Sequence, residues 1–187
     1  LNCTLTAKAN TVLYDNLALK NVSGKLTIKD QKVTLENIKT DIFDGQILAN
    51  GDVSTKGKIP VFNMDLGMKA VDIQKTFSQL DMLKKIAPIA EVVEGKINTT
   101  IKLSGNLNEK EMTPDVNSLS GDLFAQLLST TVNPSKSALL SKLGTDIPFL
   151  DLKKLNLKDQ RVTLNFSNGK VNVKPFELKY QEAKVNI

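Results

Sequence analysis

The sequence predicts a mainly β fold with a few helices, of α+β class: a curved antiparallel meander of repeated β-hairpins with one apolar face, and helices at about 72–94 and 134–143 packing on it. Three observations predict this. Apolar and polar residues alternate over long stretches. Pairs of turn-favouring residues separate those stretches. The alternation gives way to helical spacing in only a few places. The 187 residues fit one domain, 1–187. Leu1-Asn2-Cys3-Thr4-Leu5 and Lys184-Val185-Asn186-Ile187 both read as strand, so the piece is expected to belong to a longer chain.

The clearest element is a hairpin that occurs twice. Leu26-Thr27-Ile28-Lys29-Asp30-Gln31-Lys32-Val33-Thr34-Leu35 matches Leu164-Asn165-Phe166-Ser167-Asn168-Gly169-Lys170-Val171-Asn172-Val173. Continued without a gap, the match sets Ile38 on Phe176, Ile42 on Tyr180 and Ile47 on Val185. Asn-Gly favours a two-residue type I′ turn because both positions take positive φ, and Asp30-Gln31 stands at the equivalent place. Such a turn fixes the register. Phe166 then faces Val171 and Leu164 faces Val173; Ile28 faces Val33 and Leu26 faces Leu35. The four apolar side chains of each copy share one face. In the first copy Thr27, Lys29, Lys32 and Thr34 take the other.

The remaining elements follow in order. Asp44-Gly45 reads as another two-residue turn, pairing Ile42 with Ile47, and Gly51 as an interruption or bulge in the outgoing strand. Val61 to Ala70 reads as a return strand with Phe62, Met64, Leu66 and Met68 on one side. Pro60 stands at its start, where a missing donor is tolerated. From Asp72 to Glu94, Ile73, Phe77, Leu80, Leu83, Ile86 and Ala87 recur at helical spacing, with Asp72 as N-cap, Gly95 as stop and Pro88 breaking the segment in two. Ile97, Thr99, Ile101 and Leu103 alternate as a strand ending at Gly105. Asn106 to Asn117 is a polar loop, Leu119 to Leu128 a strand, and Pro134 to Leu143 a short helix with Pro in its first turn. Leu150 to Leu157 reads equally as strand or as continued helix.

Composition narrows the function. There is no His, which removes Ser-His-Asp triads, imidazole acid/base chemistry and most zinc sites. No P-loop, dinucleotide fingerprint or paired-cysteine motif occurs. Asp41 with Asp44, and Glu109 with Glu111, are the usual dress of solvated turns. Asp30 and Asn168 are accounted for by turn geometry. No catalytic residue, metal or cofactor is expected, and the chain is not read as an enzyme. The net charge of +5 comes almost wholly from Lys spread along polar strand faces, with Arg161 the single Arg. Base readout and bidentate phosphate binding favour Arg, so nucleic acid is not expected as a partner. The absence of Trp and the presence of only two tyrosines, Tyr14 and Tyr180, count against a sugar-binding platform. The Asn-x-Ser/Thr sites at Asn2, Asn21, Asn98 and Asn165 are expected by chance in so Asn- and Thr-rich a chain. Cys3, the lone cysteine, is expected to be a small packed residue. No apolar run is long enough to span a bilayer and no signal peptide is evident, so any anchor would lie outside this piece.

A sheet with one apolar face has two fates. The helices cover the face and make an ordinary core, or the sheet stays partly open as a trough for acyl chains.

The run Gly24-Lys25-Leu26-Thr27-Ile28-Lys29-Asp30, then Val33-Thr34-Leu35-Glu36-Asn37-Ile38, Phe43-Asp44-Gly45-Gln46-Ile47 and Asn50-Gly51, resembles the C-terminal region of AsmA-family proteins. Pro60-Val61-Phe62, Gly95 to Gly105, Met112-Thr113-Pro114-Asp115, Leu119-Ser120-Gly121, Asn168-Gly169-Lys170-Val171 and Pro175-Phe176 fit the same pattern, in a Lys- and Asn-rich style that looks like a Bacteroidetes member. The resemblance implies a periplasmic protein of a Gram-negative envelope, held to the inner membrane by an anchor outside this piece. It also implies similarity to TamB and the bridge-like lipid transfer proteins, with roles in outer-membrane biogenesis and phospholipid transport. It brings no catalytic residues. Leu26, Ile28, Val33, Leu35, Leu164, Phe166, Val171 and Val173 would line the groove if there is one; in a closed fold they are core. A cell-surface or periplasmic structural or adhesive module, binding protein or glycan through its loops, is the alternative. The sequence leaves oligomeric state open.

Overall fold

The computed structural model describes residues 2–80, 92–138, 140–142, 151, 155–180 and 183–186. Nine strands form one antiparallel sheet in the order β1 (Cys3–Tyr14), β2 (Leu17–Lys29), β3 (Lys32–Ile42), β4 (Gly45–Ser54), β5 (Val61–Asp72), β6 (Val93–Asn106), β7 (Ser120–Val132), β9 (Arg161–Ser167) and β10 (Lys170–Val173). Each strand lies beside the next in sequence except at one place. There, β8 (Leu155–Asn156) leaves the meander and joins β11 (Glu177–Tyr180) and β12 (Ala183–Asn186) in a second, three-stranded sheet. Sequential antiparallel pairing allows short connections, and two-residue turns supply four of the eight in this sheet.

Two hairpins have the register that their turns predict. β2 and β3 meet with Leu26 opposite Leu35 and Ile28 opposite Val33, across Asp30 (φ 50°) and Gln31 (φ 59°). β9 and β10 meet with Leu164 opposite Val173 and Phe166 opposite Val171, across Asn168 (φ 48°) and Gly169 (φ 72°).

The third turn falls one residue earlier than the sequence indicates. Phe43 (φ 53°) and Asp44 (φ 55°) are its central residues, so Ile42 pairs with Gly45, and Ile47 faces Thr40 instead of Ile42. Burial decides this. Phe43 is only 6% exposed, packed with Ile42 and Val71. Gly45 is needed for close approach: a Cβ there would come within 2.5 Å of the Lys69 carbonyl oxygen.

Irregularities also sit elsewhere than Gly51. β4 pairs with β5 without interruption through Gly51 opposite Met64. The β3–β4 register shifts between Leu35 and Ile38, where Asn37 has φ 53°. The β5–β6 register shifts between Met68 and Val71, at Ala70 with φ 51°. In both cases an asparagine from the next strand takes the displaced amide: Asn50 Oδ1 accepts from Asn37 N–H at 2.7 Å and Asn98 Oδ1 from Ala70 N–H at 2.9 Å. A bulge leaves one amide outside the ladder, and these side chains satisfy it.

Among the described residues, helix is scarcer than the periodicity predicts. α1 runs only Ile73–Gln79, capped by Asp72, whose carboxylate accepts from Lys75 N–H at 2.9 Å. Val93 and Glu94 already belong to β6, and the Pro88 break lies outside the described residues. Pro134–Lys136 forms a 3-10 turn, followed by helical residues at 138 and 140–142. The loop after β6 is pinned by a bridge between Leu107 and Pro114 and by a 3-10 turn over Val116–Ser118. Leu119 precedes β7, which extends past Leu128 to Val132.

Among the described residues, three clusters of buried apolar side chains lie at the two ends of the strands. One end holds Phe62, Leu107 and Leu119. The other holds Ile42, Phe43 and Val71, and beside them Ile73, Leu127 and Leu157, against which Leu155 and Phe176 pack. Cys3 is exposed instead of packed, because β1 forms the edge of the sheet.

Candidate functional site

Residues two apart along a strand point to the same face, so the pairing registers can be read across the sheet as rows of side chains. One row runs Leu5, Leu26, Leu35, Gly51, Met64, Leu103, Gly121, Phe166, Val171, from β1 to β10. Two residues to one side, a second row runs Ile28, Val33, Val53, Phe62. Two residues to the other side, a third runs Ile38, Ala49, Leu66, Ile101, Leu123, Leu164, Val173. No polar side chain interrupts any of the three. The bulge at Asn37 is what keeps Ile38 on the face of Leu35, three positions away instead of two.

The alternate residues carry the polar character. Thr27, Thr34, Asp52, Asn63 and Ser104 pair in one row, and Asn50, Asp65, Lys102, Asp122 and Asn165 in another. Lys25 bridges Glu36 at 2.6 Å and Lys32 bridges Asp52 at 3.2 Å. An open depression of about 630 Å³ lies among alternate residues including Lys39, Lys69, Thr100, Phe124 and Gln126. At its rim Asp41 accepts hydrogen bonds from Asn21 (2.6 Å) and Gln46 (3.1 Å), which hold its carboxyl below the usual carboxylate range.

The eight sequence-predicted residues all fall on the three apolar rows, but the two hairpins do not touch. Leu26, Ile28, Val33 and Leu35 lie near one edge of the sheet and Leu164, Phe166, Val171 and Val173 at the other, with β4 to β7 between them. Leu26, Ile28, Val33, Leu35, Leu164 and Val171 are half-buried, Val173 is exposed and Phe166 is buried. The residues that join the hairpins were not among the predicted lining: Ile38, Met64, Leu66, Ile101, Leu103 and Leu123. Their alternation within each strand was the available signal. What it lacked was the register from strand to strand, which the bulges set.

The third row differs from the packed strand ends. Ile38, Leu66, Ile101, Leu123 and Leu164 are half-buried and belong to none of the three buried clusters. The full third row crosses six inter-strand spacings, roughly 29 Å at about 4.8 Å each.

No family model matches the chain, and neither does a curated protein or a solved structure.

Proposed function

We propose that the three apolar rows form one groove-like face, open along the third row, that shields the acyl chains of phospholipids during transport between membranes, and that the chain is a non-catalytic part of a periplasmic envelope-biogenesis protein. The single observation that carries this reading is the row from Ile38 through Leu66, Ile101 and Leu123 to Leu164, apolar throughout and only half-buried. An apolar strip of this kind is a liability in water unless something apolar covers it. Packed clusters lie at the two ends of the face, and the third row belongs to none of them, which supports a trough. Its roughly 29 Å exceeds the roughly 15 Å that an acyl tail spans in one leaflet, half of a hydrocarbon core about 30 Å thick.

The mechanism is passive. Leu, Ile, Val and Met side chains exchange hydration for contact with methylene groups, at about 0.8 kcal/mol per buried CH₂. Head groups stay in water. The resemblance to AsmA-family proteins supports the envelope setting and an anchor elsewhere in the chain. The two hairpins of the sequence repeat support a face built by duplication: Leu164 opposite Val173 and Phe166 opposite Val171 repeat the register of Leu26 with Leu35 and Ile28 with Val33.

The test is native mass spectrometry on protein purified without detergent from an envelope-containing host. Phospholipid is expected to co-purify and to be lost from Leu66→Asp and Ile101→Asp, both still folded by circular dichroism. A lipid-free wild type, also lipid-free after incubation with phospholipid vesicles, would contradict the reading and favour a structural or adhesive module.

A further inference from the structure

The face opposite the apolar rows carries a notch that the fold itself does not require. Lys39, Leu48, Gly67, Thr100 and Phe124 lie side by side across β3 to β7. Leu48 and Phe124 stand three inter-strand spacings apart, roughly 14 Å. Between them come only the hydrogen of Gly67 and the short side chain of Thr100. All four residues line the open depression of about 630 Å³.

Gly67 has no structural reason to be glycine. In a strand interior glycine gives up packing and costs conformational entropy, and it marks a bulge, a bend or the close approach of a backbone or a ligand. At every other glycine of these nine strands a Cβ would come within 3.0 Å of a neighbouring atom. At Gly67 the nearest atom would be the Leu48 carbonyl oxygen, at 4.0 Å. The pairing with Leu48 on one side and Thr100 on the other is unshifted there, so no bulge accounts for it either. What a side chain at this position would fill is the notch.

The walls select a chemical class. Phe124 is 45% exposed in mid-strand, on a face that is otherwise polar. An exposed ring beside a gap offers its electron-rich face to polarised C–H groups. Lys69 and Gln126 lie two residues beyond Gly67 and Phe124 on the same strands, and so on the same face. Among the described residues the side chains of Lys39, Lys69, Thr100 and Gln126 have no hydrogen-bond or ion-pair partner. A phosphate or a free carboxylate would meet Lys39 and Lys69 but also Asp41 and Asp65 of the same face. A hydroxyl both donates and accepts, and suits all of them.

We propose that this notch is a binding site for a neutral saccharide. One pyranose ring lies over Gly67 and Thr100 with its C–H face against Phe124, and its hydroxyls hydrogen-bond with Lys69 and Gln126. The scarcity of aromatic residues does not stand in the way, since one exposed ring is enough. The notch and the apolar rows lie on opposite faces, so sugar binding and lipid binding succeed or fail independently.

The test is amide NMR of the full chain titrated separately with cellotriose, maltotriose and chitotriose, each to about 10 mM, above the roughly 1 mM Kd of a weak site. At least one sugar is expected to move the signals of Gly67, Thr100 and Phe124. Phe124→Ala is expected to lose that response with circular dichroism unchanged, because the ring is exposed. Gly67→Val is expected to lose it while keeping or raising the urea midpoint, because valine suits a strand and its Cβ meets open space. Failure of all three sugars to move these signals would overturn the proposal. So would a response that survives in either variant, or a lowered urea midpoint in Gly67→Val, which would give the glycine a structural role. Signals moved by inorganic phosphate and by none of the sugars would overturn it in favour of an anion site.

Discussion

Leu66 of β5 lies directly opposite Ile101 of β6, at the centre of the sheet, and neither belongs to a buried cluster of the described residues. Leu119, at the strand end, is 1% exposed within the cluster of Phe62 and Leu107. The contrast predicts different mutational costs. Leu119→Ala should leave a cavity and lose about 3–5 kcal/mol of unfolding free energy. Leu66→Ala, at a half-buried position, should lose only about 1 kcal/mol, for the methylenes it removes from partial burial. Urea unfolding of the two variants checks this. Equal losses would show that the centre is as closed as the ends.

The turn at Phe43 and Asp44 sets two expectations. Phe43→Asn places a turn-favouring residue where φ is 53°, yet should destabilise, because the gain in turn propensity is smaller than the roughly 3–5 kcal/mol that truncating a buried Phe costs. Gly45→Ala should destabilise by about 1–3 kcal/mol, since its Cβ would press on the Lys69 and Ala70 backbone. Thermal or urea melts of both variants decide the matter; a stabilised Phe43→Asn would mean that turn chemistry, not burial, places this turn.

The opposite case is Gln31, at φ 59° in the β2–β3 turn. Here nothing buries the side chain, and Asp-Gly is a preferred pair for this turn. Gln31→Gly should raise stability by up to about 1 kcal/mol, as the left-handed strain of a non-glycine residue is relieved at some entropic cost in the unfolded chain. A loss of stability in the same melts would mean that the turn is held by contacts of Gln31 itself.

These two turns mark what the sequence could tell. The hairpins at Asp30-Gln31 and Asn168-Gly169 are legible because turn preference and apolar alternation agree on one register. At Phe43 they disagree, and packing against Val71 wins. The bulges at Asn37 and Ala70 are held by Asn50 and Asn98, each on the following strand. No local pattern announces a hydrogen bond of that kind, so the row joining Ile38 to Leu66 and Ile101 was hidden although each strand was visible. The departure of β8, β11 and β12 into a second sheet is a tertiary choice: Lys174-Pro175 ends the ladder that the first copy of the repeat continues.

Acid should weaken the end of the sheet that holds Ile42, Phe43 and Val71. Hydrogen bonds from Lys75 to Asp44, from Asn21 and Gln46 to Asp41, and from Asn133 and Lys136 to Glu94 hold these carboxyls below their ordinary values. A depressed folded pKa contributes stability that is present above the unfolded value and is lost as pH falls through the folded one. Unfolding free energy should thus hold between pH 7 and about 5 and decline below about 4. Asp44→Asn keeps the turn conformation and should flatten part of that decline. Identical acid limbs for wild type and Asp44→Asn would rule out a contribution from the Lys75 contact.

The proposed open apolar face is tested most directly by methyl NMR with a doxyl-labelled lysophospholipid below its critical micelle concentration. Paramagnetic broadening is predicted for the methyl groups of Ile38, Leu66, Ile101 and Leu123, and not for Leu48, which lies on the opposite face with Lys39 and Gly67. Broadening of Leu48 in their place, or of none of these methyls at saturating probe, would contradict an acyl-chain groove on this sheet.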